Sequence, residues 1–196
     1  MTRENDDRFV TAALNRIGMN VGSVFDLMKQ KEPYLKAIPV LVDCLSHVHD
    51  KGIKEGIVRA LTVREARGKA DVCLVAEFRD VPVCREADIG LKWAIANALS
   101  VTATDVVFMD VVELVKDKRH GRSREMLAVA LGNMNNIAAV DVLIELLNDD
   151  EVAGHALIAL GNLKAKKARP NIERFLQHVQ PWVRRAAHKA LTMIDK

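Results

Sequence analysis

One stripe of apolar residues returns along this chain at a nearly constant interval, and that recurrence restricts the fold more than any other feature. Ile38, Leu41, Val42 and Leu45 stand at i, i+3, i+4 and i+7, the spacing of one face of an α-helix. The same spacing returns at Phe108, Val111, Val112 and Val115, at Val140, Leu143, Ile144 and Leu147, and at Ile172, Phe175, Leu176 and Val179. Between the first two, Val72, Val75 and Ala76 fit the template, but its fourth place is Arg79, so this is the weakest copy. The steps from Ile38 through Val72, Phe108 and Val140 to Ile172 are 34, 36, 32 and 32 residues. A step of that size holds one helical hairpin per repeat.

Each of these outer helices is followed by a second, inner helix that carries an adjacent Ala and Leu. The pairs are Ala60–Leu61, Ala98–Leu99, Ala130–Leu131, Ala159–Leu160 and Ala190–Leu191. Apolar residues recur four and eight places before each Leu; the third copy keeps Leu127 but has Ser123. A small Ala at a fixed place lets two helix backbones approach, while the neighbouring Leu fills the gap between hairpins. Composition agrees, since 49% of the residues are hydrophobic but only 4% are aromatic, leaving Ala, Val, Leu and Ile to build the core. Gly52, Gly68, Gly121 and Pro82 fall between the expected helices, and Pro170 and Pro181 fall near helix starts. Asn148, Asp149, Asp150 and Glu151 form an acidic turn whose carboxylates suit the positive end of the inner helix that follows. No useful length alternates with period two, so no sheet is expected.

Two of these segments carry a family resemblance. Ala130-Leu131-Gly132-Asn133 and Ala159-Leu160-Gly161-Asn162, each after an apolar outer helix, resemble the HEAT-like repeats of phycobilisome lyases. Val183-Arg184-Arg185-Ala186-Ala187, followed by Ala190-Leu191, resembles the Val-Arg opening of their inner helices. The resemblance runs from about residue 35 to the end and implies an all-α fold, a right-handed α-solenoid of about five HEAT-like hairpins. Function follows from it only weakly, because the family spans scaffolds, cofactor lyases and DNA-repair proteins.

Residues 1–34 fit the repeat less well. Phe9, Ala13 and Ile17 suggest one helix ended by Gly18, and Val21, Val24, Phe25 and Met28 suggest another, with Pro33 opening the first outer helix. Terminal repeats must close an exposed apolar end. Residues 1–34 are therefore expected to be a helical cap, continuous with the repeat solenoid of residues 35–196.

The charge pattern supplies the candidate binding residues. Net charge is only +3, small for a dedicated nucleic-acid binder, with the basic excess lying in the C-terminal part. Seven residues before each inner-helix Leu stand Lys54, Lys92, Arg124, Ala153 and Arg184. Such a stripe either lines a concave binding face or braces the stack by holding a neighbouring carboxylate or loop. The densest basic run, Lys116 to Arg124, adds Lys118, Arg119 and Arg122, either as a solvated turn or as a contact for phosphates or an acidic protein patch. Lys164, Lys166, Lys167 and Arg169 form a second basic cluster. Neither cluster has interleaved aromatics on which bases could stack.

Other chemistry finds little support. His47 and His49 point to different faces of a helix and complete no metal site. Cys44, Cys73 and Cys84 are an odd set with no redox or knuckle spacing, so they are expected to be small thiols in a reducing cytosol. HEAT-like DNA glycosylases hold an alkylated base with Trp and carboxylate residues, and Trp93, with Asp88 and Glu86 before it, invites that comparison. That spacing is weak evidence and packing is the better explanation of a lone Trp; Trp182 is expected to pack on the preceding hairpin. The expected function is a non-enzymatic scaffold or adaptor that grips a protein partner with a partly basic concave face, without metal or cofactor. Alternatives are a bilin lyase or chaperone-type subunit, and a DNA-binding or glycosylase-like protein. With a charged N-terminus and no long apolar stretch, the chain is expected to be cytoplasmic.

Overall fold

A computed structural model describes residues 2–83 and 86–196, the side chains at 86 and 87 excepted. The fold is all-α, with no strand among the described residues. The helices are α1 Arg3–Arg16, α2 Ala37–His47, α3 Lys51–Leu61, α4 Asp71–Asp80, α5 Glu86–Thr102, α6 Phe108–Lys116, α7 Ser123–Gly132, α8 Ala139–Leu146, α9 Ala153–Asn162, α10 Arg169–Glu173 and α11 Pro181–Ile194. Short 3-10 segments join several of them. The chain divides into two compact units, Met1–Val106 and Val107–Lys196.

The first unit holds the N-terminal segment and the hairpins α2/α3 and α4/α5. Thr2 caps α1, and Gly18, at φ +81°, ends it in a conformation that L side chains rarely adopt. The helix forms where expected, but its buried face is Asp6, Val10 and Leu14, and Phe9 is exposed. What turns the helix is Asp6, 1% exposed, whose carboxylate accepts the backbone N–H groups of His49 (2.9 Å) and Asp50 (2.7 Å). Those bonds tie α1 to the α2/α3 turn. Asp50 in turn accepts from Ile53 N–H and caps α3. The second N-terminal segment is a 3-10 helix, Val24–Lys29, which buries Val24 and Leu27 and leaves Met28 exposed.

The weak copy of the repeat, α4, is displaced by one position. Val72 is 61% exposed and Ala76 is also on the surface, while Asp71, Leu74, Val75 and Phe78 are buried at i, i+3, i+4 and i+7. Phe78 therefore fills the place that the sequence pattern gave to Arg79. Asp71 can join this stripe because Thr104 donates to its Oδ2 from both the backbone N–H (3.2 Å) and the hydroxyl (2.5 Å). A buried carboxylate is tolerated when its lone pairs are used.

The second unit holds the hairpins α6/α7 and α8/α9, and a third made of α10, the 3-10 segment Arg174–Gln177 and α11. Ile172 and Phe175 are buried as expected, but Val179 follows the end of the helical segment and is 86% exposed. The acidic turn also differs: α9 begins at Ala153, and Asp149 and Glu151 face a buried arginine.

Consecutive second helices in this unit touch at glycine. A Cβ added to Gly132 would lie 2.5 Å from Ala159 Cβ and 2.6 Å from Ala159 Cα. One added to Gly161 would lie 2.8 Å from Ala190 Cα. The Ala of each Ala-Leu pair therefore meets the Gly that follows the pair one repeat earlier, and α7, α9 and α11 sit closer than two alanines would permit. Gly132→Ala should cost about 1–3 kcal/mol, because the obstruction is backbone as well as side chain. Gly90→Ala, on α5 with nothing within 4 Å of the new Cβ, should stabilise by up to about 1 kcal/mol through helix propensity. Urea unfolding of both variants checks this pair, and a harmless Gly132→Ala would contradict the close approach.

Candidate functional site: the face of the second helices

The cations at the repeat-fixed position do not lie on this face as a row of free charges. Lys92, on α5, is 3% exposed; its ammonium donates to Phe78 O (2.8 Å) and Val81 O (2.5 Å) and lies 4.5 Å from the Phe78 ring centroid. Those carbonyls belong to the end of α4, where a helix leaves acceptors without intrahelical donors. Arg124, on α7, is 1% exposed and repeats the arrangement. Its Nε donates to Val115 O at the end of α6 (2.7 Å), Nη1 to Glu151 (3.0 Å) and Nη2 to Asp149 (2.5 Å). Arg184, on α11, donates through Nη1 to His178 O (2.7 Å) and Val179 O (3.1 Å), just past the preceding helical segment. Lys54, on α3, instead pairs with both oxygens of Glu77 on α4, at 2.5 and 2.6 Å. In three copies this position ties a second helix to the end of the first helix before it, in the first copy it pairs with a carboxylate on α4, and in the fourth it is Ala153. Of the two roles open to this stripe, these contacts are those of a brace.

The basic loop of the second unit carries its charge outward, but not free. Arg119 forks onto Asp117 (2.7–3.0 Å), Arg122 reaches Glu125 (3.2 Å), and Lys118 stands 3.9 Å from Asp149. The hydrogen bonds from Arg119, opposed by burial, hold the Asp117 carboxyl far below the usual carboxylate range. For Asp149 burial pulls upward, yet the hydrogen bond and charge of Arg124 leave the carboxyl below its ordinary value.

Trp93, on α5, is 37% exposed. Asp88 is 1% exposed and ion-pairs with Lys51. Five residues of helix turn through about 140° beyond a full circle, so Asp88 and Trp93 face different directions. The Glu86 side chain and Cys84 lie outside the described residues. Burial pushes the thiols of Cys44 and Cys73 up to about 11.

Pattern reading alone missed the residues that complete these contacts: Asp6, Asp71, Glu77, and Asp149 in its role toward Arg124. The recurring Gly after Ala-Leu was visible, and both occurrences mark close helix contacts.

Sequence comparison now bears on the repeat. Residues 148–196 match HEAT repeats, and residues 123–149 match the PBS lyase HEAT-like repeat. Residues 123–196 thus match HEAT-type repeat families. Solved structures share the fold along nearly the whole length. An engineered protein from the Northeast Structural Genomics Consortium is 18% identical with a TM-score of 0.54, over 94% of this chain and 98% of that one. A second engineered protein from the same consortium is 21% identical with a TM-score of 0.54, over 95% and 96%. A designed armadillo repeat protein in complex with a peptide (KR)4 is 19% identical with a TM-score of 0.51, over 97% and 90%. Identities this low establish likeness of fold alone. No curated protein matches the chain. No helix among the described residues is long and apolar enough to cross a membrane.

The HEAT-repeat brace makes a sharp distinction between neighbours two residues apart. Arg124→Met should cost about 1–3 kcal/mol, because it leaves the Val115 carbonyl and the half-buried Asp149 carboxylate without their donor. Arg122→Ala should stay within about 0.5 kcal/mol of wild type. The acid limb follows from the lowered Asp149 carboxyl. A depressed folded pKa stabilises the fold above the unfolded value of about 3.9, and that stability disappears as pH falls through the folded pKa. Arg124→Met should therefore lose less stability than wild type as pH falls from about 5 through the carboxylate range. Thermal melts across that range measure it; parallel acid limbs would contradict the brace.

Proposed function

We propose that the chain is a non-enzymatic protein-binding module, and that the second helices of each unit, taken by itself, offer the exposed side chains that a partner meets. The observation that carries this reading is the placement of both tryptophans. Trp93 on α5 and Trp182 on α11 each expose more than a third of their surface, in a chain with few aromatics. Tryptophan is enriched at the energetic centres of protein interfaces, where a large ring supplies contact area at little entropic cost. The helices that carry them are held by buried contacts, so the surface is preformed and little ordering entropy is lost on binding.

The fold supports this reading, since the designed armadillo repeat protein of similar architecture was solved in complex with a peptide. The basic residues argue against nucleic acid as the principal ligand. Arg119 and Arg122 are committed to carboxylates, and Lys92 and Arg124 are buried. A protein that tracks phosphates needs cations free to release their counterions.

Site-specific photocrosslinking in native extract tests the reading. The crosslinker is placed at Trp93 or Asn162 on second helices, and at Asp43 or Glu113 on first helices. The same adduct should form from the second-helix positions and not from the first-helix positions. Adducts confined to Asp43 and Glu113 would overturn it.

A further inference from the structure

The cations of the second unit differ in what they meet, and Lys164, Lys166 and Lys196, which have no carboxylate within ion-pair distance among the described residues, lie away from the second-helix face in a turn and at the chain end. Lys116, Arg119, Arg122, Arg124, Lys167 and Arg169 each have a carboxylate partner within ion-pair distance. Arg185 and Lys189, both exposed on α11, have none among the described residues. With Trp182 they stand at i, i+3 and i+7, one stripe of the helix.

Trp182 is held rather than loose. Its six-membered ring lies over Gly154 of α9 so closely that a Cβ there would come within 1.9 Å of the ring. Its Nε1 donates to Gln180 Oε1 (2.7 Å), and the His155 ring stands 5.5 Å away between centroids. Ile158, on the same helix as His155, is half-buried and occupies the repeat position that Lys189 occupies on α11. The α9–α11 face therefore combines an immobilised aromatic surface, an aliphatic neighbour and two uncompensated positive charges.

We propose that this face binds an acidic linear peptide, with peptide carboxylates on Arg185 and Lys189 and an apolar peptide side chain against Trp182. The proposal rests on the protein-binding reading and adds the class of partner. Charge complementarity selects the acidic peptide, because two cations without internal partners give up no existing ion pair when a ligand carboxylate arrives. Nucleic acid fits less well. Only two free cations lie on the stripe, while the carboxylates of Glu125 and Glu151 on α7 and in the turn before α9 would meet a longer phosphate backbone.

The test is fluorescence anisotropy on the full chain with dye-labelled peptides of about eight residues. One peptide alternates Asp and Glu around a central Leu, one replaces the acids by Lys and Arg, and an oligothymidylate of matched charge is the third probe. The acidic peptide should bind, more weakly at high salt, and the basic peptide should not. The double variant Arg185→Glu/Lys189→Glu should lose affinity by about tenfold or more, with an unchanged circular dichroism spectrum and melting temperature. Trp182→Phe, which keeps a ring over Gly154, should bind less tightly than wild type and more tightly than the double variant. Equal binding by the charge-reversed chain, no acidic-peptide binding, or tighter binding of the oligonucleotide would each overturn the proposal. If the acidic peptide fails while the second-helix photocrosslinks persist, the partner class falls and the binding module stands. If both fail, the two fall together.

Discussion

Contact between glycine on one second helix and alanine on the next sets the spacing on which the second unit depends. Gly132 meets Ala159, and Gly161 meets Ala190, at distances where no additional Cβ fits. Helices brought that close exclude water along their shared seam, and the leucines beside the alanines, Leu131 and Leu160, are fully buried. The same spacing puts the Trp182 ring onto Gly154. A repeat built from small aliphatic residues can pack this way without large aromatic groups, which explains how a unit so poor in aromatics buries its core.

Close packing also decides what the repeat-fixed cations do. A helix end brought into a dry interior has carbonyl oxygens that water cannot reach, and a long cationic side chain from the partner helix can satisfy them. Lys92 does this for α4 and Arg124 for α6, and Arg184 does it at the less buried end of the third hairpin. The fourth copy has Ala153, so the brace is not needed at every hairpin. On the last second helix the exposed cations without a carboxylate partner among the described residues, Arg185 and Lys189, stand one and five residues after Arg184.

Much of the fold could be read directly from the residues, and the failures share one cause. The Ala-Leu pairs located all five second helices, because small-then-large packing leaves a local mark. The apolar stripe located the first helices but misplaced the face of α4, where Val72 and Ala76 are exposed and Asp71 is buried. The face of α1 was misplaced in the same way, by Asp6. In both cases a carboxylate is buried because distant donors satisfy it: His49 and Asp50 for Asp6, Thr104 for Asp71. Partners some 33 to 44 residues away leave no periodic signal. The candidate stripe was legible as a pattern for the same reason that its task was not. Spacing shows that a cation recurs, whereas burial and a carbonyl at the far end of its side chain show why.

The sharpest contrast lies between Arg124 and Arg185, two arginines of the same unit with opposite surroundings. Exchange of their guanidinium Nε hydrogens with solvent, followed by NMR on the free protein, reads that contrast residue by residue. Arg124 Nε–H, donated to Val115 O in a buried site, should exchange far more slowly than Arg185 Nε–H, which is exposed. Exchange at Arg124 as fast as at Arg185 would contradict the division between cations that brace the repeats and cations that stand in solvent.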